Sequence, residues 1–146
     1  MQYFQQLPHT ADIKMRAYGK TKQDLFIHAL QGMFQLMRPY AQGCERRDDL
    51  LVCNKFAKQH TVVVESLNMQ SLLIDFLSEA LWRSDAYNEI YLNAHISVMD
   101  DTHIQATLYG VSVTGYEGAE IKAVTYHDAS IVYEKDMWQA DIVFDI

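Results

Sequence analysis

Two aspartates stand near opposite ends of the chain, Asp12 in HTADIKMRAYGKT and Asp145 in the closing run MWQADIVFDI. Asp145 is one residue from the free carboxylate of Ile146. Carboxylates are the donors that hard cations prefer, because Ca²⁺ and Mg²⁺ take oxygen ligands. Three such groups in one small space also repel one another and need a counter-charge. They would meet if the strand that Asp12 begins paired antiparallel with the strand that Asp145 ends, start against end. His9 lies close by in sequence and would then serve as an outer ligand or orient one. The plain alternative is that Asp12 merely flanks a strand and that the chain end is loose and solvated.

Other chemical constellations carry less. Cys44 and Cys53 are nine apart and fit no metal-ligand spacing. They read as two inert packing thiols of a reducing compartment, with a disulfide as the alternative. The histidines (His9, His28, His60, His95, His103 and His127) form no HxH or HExxH pattern, so zinc is a weak idea. The GKT at 19–21 resembles the tail of a phosphate-binding loop, but the upstream glycine of GxxxxGK[ST] would fall near Ile13 or Lys14, and none is there. Gly19 instead ends a strand and Thr21 caps a helix.

These residues must be positioned by the rest of the chain. At 146 residues, 49% hydrophobic and 21% charged, it is expected to form one domain over 1–146 with a real core. The net charge of −7 argues against a protein that grips nucleic acid by itself, since that needs clustered Lys and Arg. It fits a protein that meets a basic partner, or one that simply stays soluble. The one basic pair, Arg46-Arg47, runs into Asp48-Asp49 and reads as a solvated turn. No apolar run approaches the roughly 20 residues that span a bilayer, so no membrane role is expected. MQYFQQLPH has neither a basic start nor an apolar core, so no signal peptide is expected and the cytoplasm is the default compartment.

Asp12 to Tyr18 alternates, with Ile13, Met15 and Ala17 on one side, as a half-buried strand does. Thr21 then caps a helix whose Leu25, Phe26, Ala29, Leu30, Met33, Phe34 and Met37 recur every three or four residues, ending before Pro39. That stripe reads as core, and His28, off it, as a surface residue. Residues 40–49 read as a polar loop, 50–55 as a short strand and 60–67 as a strand. Asn68 or Ser71 caps a second helix carrying Leu72, Leu73, Phe76, Leu77, Ala80 and Leu81, fading near 84–88. Segments 90–98, 103–111, 119–133 and 137–146 read as strands, with turns at Asp100-Asp101, at GYEG 115–118 and at Glu134-Lys135-Asp136. On the last strand Trp138, Ala140, Ile142 and Phe144 share one face, and Asp141, Val143 and Asp145 the other. The fold class expected is α+β, a mainly antiparallel sheet with two packed helices.

Five segments, in order, resemble the archease family: HTADIKMRAYGKTKQDLF at 9–26, ALQGMFQLM at 29–37, LLIDFLSEALW at 72–82, EIKAVTYHDASI at 120–131 and the terminal FDI. The resemblance runs end to end. It implies an archease-like fold and an accessory protein rather than a catalyst. Its implied partner is an RtcB-type RNA ligase of tRNA splicing and RNA repair, which uses GTP and a divalent metal and is guanylylated on a histidine. The implied role is to speed that guanylylation and support multiple turnover, so that tRNA or other RNA is met only through the ligase. The family's metal site, seen with Ca²⁺, carries over to Asp12, Asp145 and the terminal carboxylate of Ile146, with Mg²⁺ or Mn²⁺ as alternatives. Lys122 and His127 fall in the matching IKAVTYH strand and are candidate contacts to phosphate or to the partner; the plain reading makes them exposed strand residues. The chain departs from the family pattern in GVSVTGYEGAE, which has no His-Pro and carries Ala119 in place of a threonine.

Two other functions compete. A stand-alone metal-dependent phosphohydrolase or nuclease would use the same carboxylates, but no general base or nucleophile accompanies them, and the acidic surface would repel a polyanion. A general chaperone-like binding module would need none of them.

Overall fold

The computed structural model describes residues 1–9 and 11–146. In chain order its elements are β1 (Phe4–Leu7), β2 (Ile13–Gly19), α1 (Lys22–Leu36), β3 (Pro39–Tyr40), β4 (Cys44–Arg47) and β5 (Leu50–Cys53). There follow β6 (Lys58–Glu65), α2 (Met69–Tyr87), β7 (Glu89–Met99), β8 (His103–Ser112), β9 (Gly115–Tyr116), β10 (Ala123–Glu134) and β11 (Met137–Asp145). The strands form a four-stranded sheet in the order β1-β2-β11-β10 and a three-stranded sheet in the order β6-β8-β7. Two small ribbons, β3-β9 and β4-β5, complete the set, and every pairing is antiparallel. The expected α+β class, with two helices on mainly antiparallel sheet, is what forms.

The alternation of β2 does what its pattern predicts: Ile13, Met15 and Ala17 are buried, while Lys14, Arg16 and Tyr18 are half-buried on the other face. Each helix packs against both larger sheets, α1 on β2 and β7, α2 on β10 and β7. The core between them contains Met15, Phe26, Leu30, Phe34, Phe76, Leu77, Tyr91 and Phe144, all fully buried. Thr21 caps α1, its side chain accepting from the Asp24 N–H at 3.0 Å. Asn68 caps α2 in the same way through the Ser71 N–H at 2.8 Å. Gly19 is required sterically, because a Cβ there would overlap the Leu25 backbone at the start of α1. This is a structural reason for the glycine of GKT.

Several expectations need correction. His28 is not a surface residue: it is buried, its Nδ1 lies 2.6 Å from the Tyr18 carbonyl, and its ring stacks on Tyr3. β1 went unread because FQQL does not alternate, yet it pairs with β2 from Phe4–Ala17 to Leu7–Lys14. The strand expected over 119–133 begins only at Ala123, and GYEG contributes β9, paired to β3, rather than a turn alone. The polar loop expected over 40–49 holds β4, which forms a hairpin with β5. Its turn is Asp48-Asp49, both at positive φ (49° and 66°), as a two-residue hairpin turn requires.

That turn also overturns the reading of two free thiols. Pairing Arg47 with Leu50 sets Cys44 directly opposite Cys53, with Cα atoms 4.4 Å apart, and the two form a disulfide. Gln35 of α1 clips the same hairpin, its side chain accepting from the Leu51 N–H at 2.9 Å and donating to the Leu51 carbonyl at 3.0 Å. Closing a loop of this length removes about 2–3 kcal/mol of unfolded-chain entropy. Urea denaturation should therefore give a stability lower by that amount in the presence of a strong reductant, or in Cys44→Ser/Cys53→Ser. Coincident curves with and without reductant would show that the cross-link contributes nothing.

Candidate functional site

β11 pairs with β2 continuously from Trp138–Gly19 to Phe144–Ile13. Asp12 immediately precedes Ile13 and Asp145 immediately follows Phe144. The antiparallel register therefore brings both acids to one end of the sheet, start against end, as the sequence reading required. β10 adds a third strand there: Ala123 pairs with Asp145, and the Lys122 N–H donates to the Asp145 carbonyl at 2.8 Å. Asp12 is half-buried, whereas Lys122, Asp145 and Ile146 are exposed. The end of the sheet thus gathers two aspartates and one lysine, with Ile146 next to Asp145.

The two carboxylates offer only oxygen donors and carry more negative charge than Lys122 offsets. That chemistry suits a hard divalent cation. Among the described residues, no three side chains of His, Cys, Asp or Glu are grouped closely enough to hold a metal. His9 is exposed between β1 and β2. His127 lies farther along β10, where the register with β11 shifts between Thr125 and Ser130. It is exposed, with Nε2 3.3 Å from Asp128, which adopts a positive φ of 55°.

One positioning pair was missed. Arg16 and Asp141 lie directly opposite in the β2–β11 register, each four residues inside its acid. The guanidinium donates twice to the carboxylate, Nε to Oδ1 at 2.7 Å and Nη2 to Oδ2 at 3.0 Å. This forked bond to Asp141 raises the pKa of Arg16 above its ordinary value. Such bidentate geometry fixes orientation as well as distance. The signal was present, an Arg and an Asp on the outer faces of two alternating strands, but the two are 125 residues apart and only the register joins them.

A second polar cluster lies in the core. His60 Nε2 is 2.6 Å from Glu89, and the Tyr91 hydroxyl donates to the same carboxylate oxygen at 2.9 Å. Burial, and then the bond to Glu89, push the Tyr91 pKa well above its ordinary value. With Tyr87 stacked on His60, this reads as a satisfied buried network that ties β6 to β7.

A model of the Archease protein family (MTH1598/TM1083) matches residues 4–146. The chain belongs to the archease family. Protein archease of Methanosarcina barkeri is 28% identical, over 98% of this chain and 95% of its own. That of Thermoplasma acidophilum is 29% identical, over 98% and 93%. The solution structure of Methanobacterium thermoautotrophicum protein 1598 superposes with a TM-score of 0.69 at 27% identity, covering 100% of both chains. A crystal structure from Thermotoga maritima, described as an archease and possible chaperone, matches with a TM-score of 0.61 over 96% of this chain and 94% of that one. At 18% identity it speaks for the archease fold alone. Among the described residues no helix is long and apolar enough to cross a membrane.

Since the Arg16–Asp141 fork holds the strands in the register that aligns the two acids, Asp141→Ala should leave a half-buried guanidinium without its partner. The expected loss is about 1–3 kcal/mol in urea denaturation. Amide exchange along β11 should quicken near Asp145 as well. An unchanged denaturation midpoint would show that the pair does not pin the strands.

Proposed function

We propose that this archease is an accessory protein that stimulates guanylylation and multiple turnover of an RtcB-type RNA ligase in tRNA splicing and RNA repair. The observation supporting this reading is the β2–β11 register, which aligns Asp12 with Asp145 at one sheet end in a chain of this family. Asp12, Asp145 and the carboxylate of Ile146 would hold a divalent cation, Ca²⁺ first, with Mg²⁺ and Mn²⁺ as alternatives. When bound, the cation supplies positive charge for phosphate oxygens in the partner's nucleotide site.

Asp145 closes β11 and Asp12 directly precedes β2, so the chain presents that charge at one end of a sheet. Lys122, held beside Asp145 through its backbone, adds a second positive group for phosphate or for the ligase. His9 and His127 are outlying contacts to the same partner. RNA is met only through the ligase, since a net charge of −7 repels a polyanion. In this reading the protein is one cytoplasmic domain that acts on an enzyme and is not one itself.

Multiple-turnover ligation by the ligase of the same source, with GTP and Mn²⁺, tests the reading. Wild-type protein should stimulate it, and Asp12→Asn and Asp145→Asn should each lose about tenfold or more of the stimulation. An active ligase that the wild type fails to stimulate would refute the assignment. The cation has a separate readout. Ca²⁺ at a hundredfold excess over its dissociation constant should stabilise the wild type by about 2.7 kcal/mol. Both variants should lose that gain, and a gain retained in either would place the ion elsewhere.

A further inference from the structure

We propose that the free edge of β6, with the groove beside it, takes an extended basic segment of a partner protein as an added strand. The four outer edges of the two larger sheets differ in kind. β1 is only four residues long. β7 is broken by two register shifts, and β10 by one. β6 is eight residues long and pairs with β8 without interruption from Lys58–Gly110 to Glu65–His103, while no strand among the described residues covers its other side. Short or bulged edges resist strand addition, and a long regular one invites it. β6 contains no proline, and between Lys58 and Glu65 it carries only His60 as a titratable side chain.

The surface beside this edge is apolar and acidic. Val63 is 71% exposed, Leu67 92%, Trp82 58% and Tyr126 61%. Val63 and Trp82 line one half of a groove between β6 and α2, and Leu67 and Tyr126 line the other. Glu65 and Asp75 border both halves, so the groove is continuous. Tyr126 is fixed by its hydroxyl, which donates to Asp75. The Ser66 hydroxyl donates to the other Asp75 oxygen at 2.5 Å. Both donors are neutral and leave the carboxylate charge in place.

No lysine or arginine lines either half of the groove. Arg83, over the Trp82 ring, is engaged with Glu79 at 3.2 Å. Glu65 itself lies 3.4 Å from His103. An incoming strand would gain backbone hydrogen bonds from β6, apolar contact from Val63 and Trp82, and opposite charge from Glu65 and Asp75. Val63 and Glu65 share one face of β6, so this pattern fits a segment that carries, two positions apart on one face, an apolar residue and a Lys or Arg. It disfavours an acidic peptide and a nucleic acid alike.

The test uses the full chain without ligase and without cation, so its outcome is independent of the reading of Asp12 and Asp145. The probe is a synthetic eight-residue Lys-Val peptide, Val-Thr-Lys-Thr repeated twice so that Val and Lys share one face, followed by calorimetry and by amide exchange across β6. Saturable binding with protection of β6 amides is expected. Trp82→Ala and Val63→Lys should each weaken it about tenfold or more, with unchanged circular dichroism. A Glu-Val peptide should bind at least about tenfold more weakly, and affinity should fall with salt. Equal binding of a peptide N-methylated at alternate residues would overturn strand addition, and so would no binding of the Lys-Val peptide at millimolar concentration. Self-association of the chain through β6, abolished by Val63→Lys, would assign the edge to a second copy and refute the proposal.

Discussion

The pairing of β2 with β11 joins the two ends of the chain, and much else is placed by it. Both strands bury an inner face, Ile13, Met15 and Ala17 from β2 and Ala140, Ile142 and Phe144 from β11, and β11 buries Val143 on its other face as well. A slip of one residue would turn either set toward the outer face, so burial fixes the register. On that outer face the Arg16–Asp141 fork makes the same choice by charge. Two unlike forces therefore specify one alignment. The acids at the strand ends inherit it, although they contribute nothing to it themselves.

The helices brace this sheet against the other. α1 lies on β2 and reaches β7, and α2 lies on β10 and reaches β7, so neither sheet can shift without disturbing the other. Gly19 lets α1 approach β2 closely, and Thr21 starts the helix at once. The stretch that superficially suggests a nucleotide loop is thus accounted for by packing and capping. His28 belongs to the same junction, tied to the Tyr18 carbonyl and covered by Tyr3.

What could be read from the sequence was what repeats with a period. The alternation in β2 and β11 and the three- and four-residue recurrence in α1 and α2 announced both the elements and their buried faces. The convergence of Asp12 and Asp145 followed from one topological assumption, that the first alternating strand pairs with the last. Elements without a period stayed hidden. FQQL becomes a strand only because β2 offers it an edge. CERR becomes one because Asp48-Asp49 adopts positive φ, a conformation more often signalled by Asn-Gly. With that turn unread, the opposition of Cys44 and Cys53 could not be seen. The Arg16–Asp141 pair was hidden for a different reason, since a contact across 125 residues has no local signature.

β10 carries a geometric consequence. Lys122, just before it, sits at the acidic sheet end, and Tyr126, four residues on, reaches across to Asp75 of α2 from the stretch where the register with β11 shifts. Along extended backbone that separation is about 13 Å. One short stretch of chain therefore sets the spacing between the carboxylate end and the groove of β6. For a partner that touched both, the second contact would form intramolecularly, at an effective concentration set by that spacing and by the partner's own reach. Two individually weak contacts held at a constant distance can then be selective for partners of matching span, with no single contact needing to be strong.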